Sequence, residues 1–167
     1  MRVGLGYDIH RLIAGRPLIL GGRHIPYGKG LLGHSDGDCL VHAVIDAILG
    51  ALALGDIGQH FPDTDPRYKD AASLPLLEEV VVRMQNEGYA IGNVDIVVIA
   101  QEPKLAPHYP GIIASLKEVL RCAERQISVK SKTHERIGPL GAGEAIASFA
   151  VCTLQKMSQA IPIRAQA

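Results

Sequence analysis

Asp8 and His10 lie two residues apart in an alternating segment, and His42 lies in an apolar run that begins at Cys39. Residues two apart on a strand share a face, so this carboxylate and imidazole would sit side by side. With His42 they make a set of two imidazoles and one carboxylate. Such a set leaves a coordination position open, as in catalytic zinc sites. It also suits a mononuclear Fe(II) oxygenase, and each residue could instead be an ordinary satisfied polar group. Asp38, His42 and Asp46 are four apart, so on a helix they stack in one stripe. The residues around them are Leu40, Val41, Ala43, Val44, Ile45, Ala47, Ile48 and Leu49. An acid–imidazole–acid stripe on a buried helix is costly unless the groups satisfy one another or hold an ion. Asp46, one turn past His42, is a candidate to orient that imidazole from behind the metal.

The elements that must carry these groups follow from the pattern. Residues 2–13 alternate, with Val3, Leu5, Tyr7 and Ile9 on one face and Gly4, Gly6, Asp8 and His10 on the other. This predicts a strand that buries its apolar face. Pro17–Leu20 and Arg23–Pro26 flank Gly21-Gly22 and read as a hairpin or an extended arm. Residues 26–35 read as a glycine-rich loop. The helix bearing His42 opens near Asp36 or Asp38, either of which could cap it, and closes near Leu54–Gly55. A turn-rich loop spans Asp56–Pro66. Ser73 is placed as the cap of a helix over about 74–87. A strand is expected over 91–101, a helix over 110–124, a strand over 127–133, a glycine loop around Gly138–Gly143, and a last helix from Glu144 to Gln159. The sum is an α+β domain over residues 1–160, a mixed β-sheet with helices packed on one face, followed by a frayed tail at 161–167.

The chain has 167 residues, enough for one domain with a sizeable core. Lys plus Arg and Asp plus Glu are 17 each. This balance argues against a nucleic-acid binder or an anionic-membrane binder. Between Lys117 and Arg136, however, six basic residues face three acidic ones. That suits a small anionic ligand, with Lys104, Lys130, Lys132 and Arg136 as phosphate partners or simply as a solvated face. The three cysteines are far apart and form no CxxC, consistent with reduced thiols in the cytoplasm. No apolar run approaches the roughly 20 residues of a membrane span. Neither a GxGxxG opening a helix nor a GxxxxGK[ST] is present, and no Ser–His–acid spacing supports a serine hydrolase.

Six motifs occur together and in order: Asp8-Ile9-His10, Gly33-His34-Ser35-Asp36-Gly37-Asp38, Ala53–Gly58, Phe61–Pro66, Ala100–Lys104 and Val129–Glu135. Together they resemble the 2-C-methyl-D-erythritol 2,4-cyclodiphosphate synthases of non-mevalonate isoprenoid synthesis, over roughly residues 1 to 158. The resemblance implies a homotrimer with active sites between subunits. It implies cyclisation of 4-diphosphocytidyl-2-C-methyl-D-erythritol 2-phosphate with release of CMP. By resemblance, Asp8, His10 and His42 would hold Zn2+, and Glu135 a second ion, Mg2+ or Mn2+. His34 and Thr133 would act catalytically by steadying the phosphates. Ser35 would also touch phosphate. Asp56, Ile57, Gly58 and the segment Phe61, Pro62, Asp63, Thr64 and Asp65 would hold the methylerythritol. Ala100, Pro103, Lys104, Leu105, Ala106, Ser131, Lys132 and Thr133 would hold the cytidine diphosphate end. The chemistry is consistent: the reacting groups are all anionic, so cations and tight positioning are needed rather than a protein nucleophile.

The chain departs from this family at two positions. Ala142 stands where Arg is common and Pro139 where an aromatic is frequent. In relatives those side chains line a cavity on the trimer axis that can hold an isoprenoid diphosphate. Loss of the guanidinium removes a bidentate phosphate grip, so weak or absent binding is expected there.

Overall fold

Glycine decides how the first strand is used. In the computed structural model, which describes residues 1–157, β1 (Arg2–Ala14) turns its Gly4, Gly6, Asp8, His10 face inward. Val3, Leu5, Tyr7 and Ile9 are left 43–65% exposed. This reverses the expected orientation. The reason is the neighbour: helix α1 (Cys39–Leu52) lies directly on the glycines. A Cβ at Gly4 would come within 1.9 Å of the Ala47 carbonyl oxygen, and one at Gly6 equally close to that of Ala43. Only a side chain of hydrogen lets the two backbones approach so closely.

The remaining elements are β2 (Leu18–Leu20), β3 (Arg23–Ile25), β4 (Lys29–Leu31), α2 (Ile57–His60), α3 (Ser73–Asn86), β5 (Tyr89–Ile99), α4 (Tyr109–Leu120), β6 (Ile127–Lys132), α5 (Gly138–Gly141) and β7 (Ala145–Lys156). The main sheet runs β4-β1-β7-β5-β6, with β2 and β3 paired separately as the expected hairpin. Only β5 and β6 are parallel, joined through α4; β1, β7 and β4 run antiparallel to their neighbours. The architecture is a mixed sheet with helices on one face, as expected. Helix α1 has every residue buried except Asp46 and Gly50. It lies between the sheet and α3.

Three local expectations are corrected. The last element is strand β7, not a helix. Ile146, Ala150 and Leu154 are four apart, a spacing that fits both one helix face and one strand face. The chain resolves the ambiguity by inserting between β1 and β5, burying Ile146, Ser148, Ala150, Cys152 and Leu154 and exposing Phe149 and Val151. The segment read as a loop at 26–35 contains β4, which pairs with the far end of β1. Helix α1 closes at Leu52 with Ala53 left-handed at φ 60, ahead of the expected Gly55. The tail expected to fray lies outside the described residues, as do the last residues of the presumed C-terminal helix. Among the described residues no helix is long and apolar enough to cross a membrane.

Candidate active site and metal centre

Strand β1 and helix α1 bring Asp8, His10 and His42 to one point. Asp8 Oδ2 lies 2.8 Å from His10 Nε2 and 2.9 Å from His42 Nδ1, and the two nitrogens are 3.3 Å apart. A tetrahedral zinc with ligands near 2.0 Å needs ligand–ligand edges of about 3.3 Å. The three atoms therefore form a triangle slightly tighter than that of a bound ion, and the donor set is one zinc accepts. The open side of the triangle faces a cavity of about 420 Å³. The His10 Nδ1 donates to the Leu32 carbonyl at 2.6 Å, which leaves Nε2 as the lone pair toward the triangle.

Electrostatics here are those of a cation site. Burial would raise the Asp8 carboxyl, but hydrogen bonds and charge from His10 and His42 outweigh it and hold it well below the usual carboxylate range. Burial likewise opposes charge on His10, yet the hydrogen bond and charge of Asp8 raise it above its ordinary value. A carboxylate held ionised beside an imidazole that gains a proton readily is suited to exchanging that proton for a metal.

The acid–imidazole stripe separates into three jobs. Asp38 is fully buried. One carboxylate oxygen accepts the Val41 and Gly21 N–H groups at 3.1 and 3.0 Å, and the other accepts that of Gly22 at 2.6 Å. It caps α1 and ties down the β2–β3 turn, where Gly21 and Gly22 have φ of 60° and 69°. Burial pushes its pKa up to about 6, against those hydrogen bonds. His42 serves the triangle. Asp46 does not orient His42, a correction to the expectation. Its Oδ1 accepts the Ile57 N–H at 2.7 Å and so anchors the start of α2. The opposite edge of the His42 ring is taken by Ser73 Oγ at 2.9 Å and Ser35 Oγ at 3.2 Å.

The cavity gathers Asp8, His10, His34, Ser35, His42, Ile57, Gly58, Phe61, Pro62 and Asp63, ten of the residues named from sequence. Asp56 caps α2 through the Gln59 N–H at 3.0 Å. Thr64 is exposed. Asp65 caps the turn Pro66–Tyr68 and pairs with Arg67 at 2.7 Å. Neither Asp56, Thr64 nor Asp65 lines the cavity. Tyr68 and Leu76 do line it and were not singled out. Phe61 meets Tyr68 edge-on with ring centres 5.4 Å apart. That aromatic pair holds the loop over the site, and nothing in the spacing of the two residues announced it.

A second cavity of about 320 Å³ collects Ala100, Pro103, Lys104, Leu105, Ala106, Ser131, Lys132 and Thr133, together with Gln101 and Pro107. Ser131 is held by the Tyr109 hydroxyl at 2.5 Å. Thr133 donates to Glu135 at 2.7 Å. Glu135 and Arg136 both adopt left-handed backbones, with φ of 48° and 62°, a costly turn for two residues with side chains. Within one protomer this cavity is separate from the metal triangle, and Glu135 lines neither.

The profile of the YgbB family matches residues 1–155. The chain belongs to that family. A 2-C-methyl-D-erythritol 2,4-cyclodiphosphate synthase from Synechococcus sp. (strain JA-2-3B'a(2-13)) is 58% identical over 154 residues, covering 92% of this chain and 98% of the relative. The fold matches a solved 2C-methyl-D-erythritol-2,4-cyclodiphosphate synthase with TM-score 0.86 at 40% identity, over 92% of this chain and all of that one. It also matches the Plasmodium falciparum IspF–CDP complex, with TM-score 0.84 at 41% identity, over 94% and 97% of the two chains. The activity is accordingly that of a phosphorus–oxygen lyase forming 2-C-methyl-D-erythritol 2,4-cyclodiphosphate in isoprenoid precursor synthesis. Neither an Fe(II) oxygenase nor a non-catalytic nucleotide-binding trimer finds support among these relatives.

Proposed function

We propose that the reaction runs at a zinc site formed by Asp8, His10 and His42, with the substrate 4-diphosphocytidyl-2-C-methyl-D-erythritol 2-phosphate spanning two protomers. The observation that carries this reading is the triangle of three ligand atoms 2.8–3.3 Å apart at the wall of a cavity. Bound there, zinc would supply Lewis-acid stabilisation of charge on the substrate phosphate. In the reaction an oxygen of the 2-phosphate bonds to the β-phosphorus. The β-phosphorus–oxygen bond to the α-phosphate breaks, and CMP leaves with that oxygen. His34 and Ser35, beside the triangle, would donate hydrogen bonds to the phosphates. Ile57, Gly58 and Phe61–Asp63 would enclose the methylerythritol, with Asp46, Asp56 and Asp65 holding the turns around it. Lys104, Lys132 and Thr133 would bind the phosphocytidyl end. Glu135 would hold Mg2+ or Mn2+ beside the diphosphate.

A homotrimer with active sites between subunits accounts for two features of the protomer. Val3, Leu5, Tyr7, Ile9, Phe149 and Val151 form an exposed apolar face on the uncovered side of the sheet, a surface of the kind buried on assembly. The two cavities are separate within a chain, and assembly would set the phosphocytidyl cavity of one protomer against the metal cavity of its neighbour. Free Cys39 and Cys152, both buried, support a reducing, cytoplasmic setting.

The test is CMP release from the diphosphocytidyl substrate, with zinc content measured in parallel. His42→Ala should lose both zinc and turnover while its sedimentation stays that of the wild-type oligomer. Normal turnover by this variant would overturn the metal assignment.

A further inference from the structure

His42 has two ring nitrogens, and only one can serve a metal. Its Nδ1 faces Asp8 and His10, so to bind a metal there Nδ1 must give up any proton it shares with Asp8 and Nε2 must carry one. Burial of the helix does not determine whether Nε2 holds a proton; the partner on the far edge of the ring does. That partner is Ser73 Oγ, 2.9 Å from Nε2 and fully buried. The Ser73 hydroxyl proton is already committed, because Oγ lies 2.5 Å from Asp36 Oδ1. A carboxylate can only accept. Ser73 therefore offers His42 a lone pair, which only an Nε2–H can meet.

Asp36 is itself fixed. Its Oδ1 accepts the Asp38 N–H at 3.1 Å and its Oδ2 the Ser73 N–H at 2.9 Å. Its own N–H donates to the Ala71 carbonyl at 2.9 Å. Helix α3 has no side-chain cap from Ala72, its N-cap residue. Asp36 supplies that function from a distant part of the chain, and in doing so sets the rotamer of Ser73. Ser73 was expected to cap α3; it is instead the first residue of the helix and looks toward His42.

We propose that Ser73, oriented by Asp36, is a positioning residue for the metal: it keeps the His42 proton on Nε2 and so keeps the Nδ1 lone pair aimed at the point shared with Asp8 and His10. This rests on the zinc reading above. Ser35 sharpens the argument. Its Oγ lies 3.2 Å from the same Nε2 and has no carboxylate binding its proton. Without Ser73, Ser35 can donate to Nε2 and leave the proton on Nδ1, where a metal must displace it.

Two measurements test this. Long-range proton–nitrogen NMR on the metal-free wild-type oligomer at pH 8 should show a proton on His42 Nε2, whatever the state of Nδ1 beside the Asp8 carboxylate. In Ser73→Ala the same spectrum should show a mixture of the two tautomers. Zinc affinity by chelator competition should weaken by about 10–100-fold in that variant. A merely structural role for Ser73 would leave the tautomer unmoved. A wild-type His42 with no proton on Nε2 overturns the proposal, whether or not the variant folds. So does a Ser73→Ala protein with unchanged zinc affinity while wild-type binds zinc. A wild-type protein that binds no zinc overturns the metal reading itself.

Discussion

Gly6→Ala tests whether the close approach of α1 to β1 sets the metal geometry. The added Cβ would stand 1.9 Å from the Ala43 carbonyl oxygen and 2.7 Å from the Ala47 nitrogen, both backbone atoms. Neither can rotate away, so strand and helix must separate by roughly 1 Å to restore ordinary contact. Asp8 is two residues along the strand and His42 one residue before Ala43 on the helix. Their 2.9 Å separation would open to about 4 Å. Two ligands each about 2.1 Å from one ion reach that span only at an angle of about 145° across it, well beyond the roughly 109° of tetrahedral zinc. The overpacking should cost about 1–3 kcal/mol, read as a lower urea midpoint. A misplacement of this size should lower turnover on the order of 100-fold. Gly50→Ala is the control on the same helix: its Cβ would meet only the Leu5 oxygen, at 3.9 Å. There the change should be neutral or stabilise by up to about 1 kcal/mol. A Gly6→Ala protein with wild-type urea midpoint, zinc affinity and CMP release would refute the reasoning.

Other perturbations separate the remaining parts. Asp46→Ala removes the acceptor of the Ile57 N–H and should raise KM for the substrate several-fold while zinc affinity stays unchanged; lost zinc would restore Asp46 to the metal. Leu5→Glu on the exposed apolar face should convert the proposed trimer to monomers in sedimentation and abolish turnover, whereas an intact, active oligomer would place the interface elsewhere. The buried Asp38 carboxyl, pushed up to about 6 mainly by burial, has a folded pKa above its usual 3.8. Its contribution to stability is therefore full below about pH 4 and lost as pH rises through 6. The stability lead of wild-type over Asp38→Ala in urea should narrow from pH 4 to pH 7, and a widening lead would contradict that sign. Calorimetric titration with farnesyl diphosphate should show no tight saturable site, because Ala142 offers no guanidinium; saturable binding on the trimer axis would overturn this.

The candidate metal triad was legible because it is local chemistry on regular elements. A DxH pair on an alternating strand must share a face, and a histidine in an unbroken apolar helix must be paid for by an interaction. The cap at Asp38, one of two candidates, and the pairing across Gly21-Gly22 followed from equally short-range rules. What depended on other parts of the chain was not legible. Which face of β1 is inward was decided by α1 pressing on Gly4 and Gly6, so the apolar face that hydropathy would bury is left for another surface. The strand at 145–156 was decided by its place between β1 and β5, since its spacing of four serves helix and strand alike. The partners of Asp46 and Ser73 were decided by where α2 and α3 dock. Sequence alone determined which residues could do this chemistry and that they would lie on one strand face and one helix. Only the tertiary structure decided how close the two elements come and which nitrogen of His42 points at the site, because both are set by contacts between residues far apart in the chain.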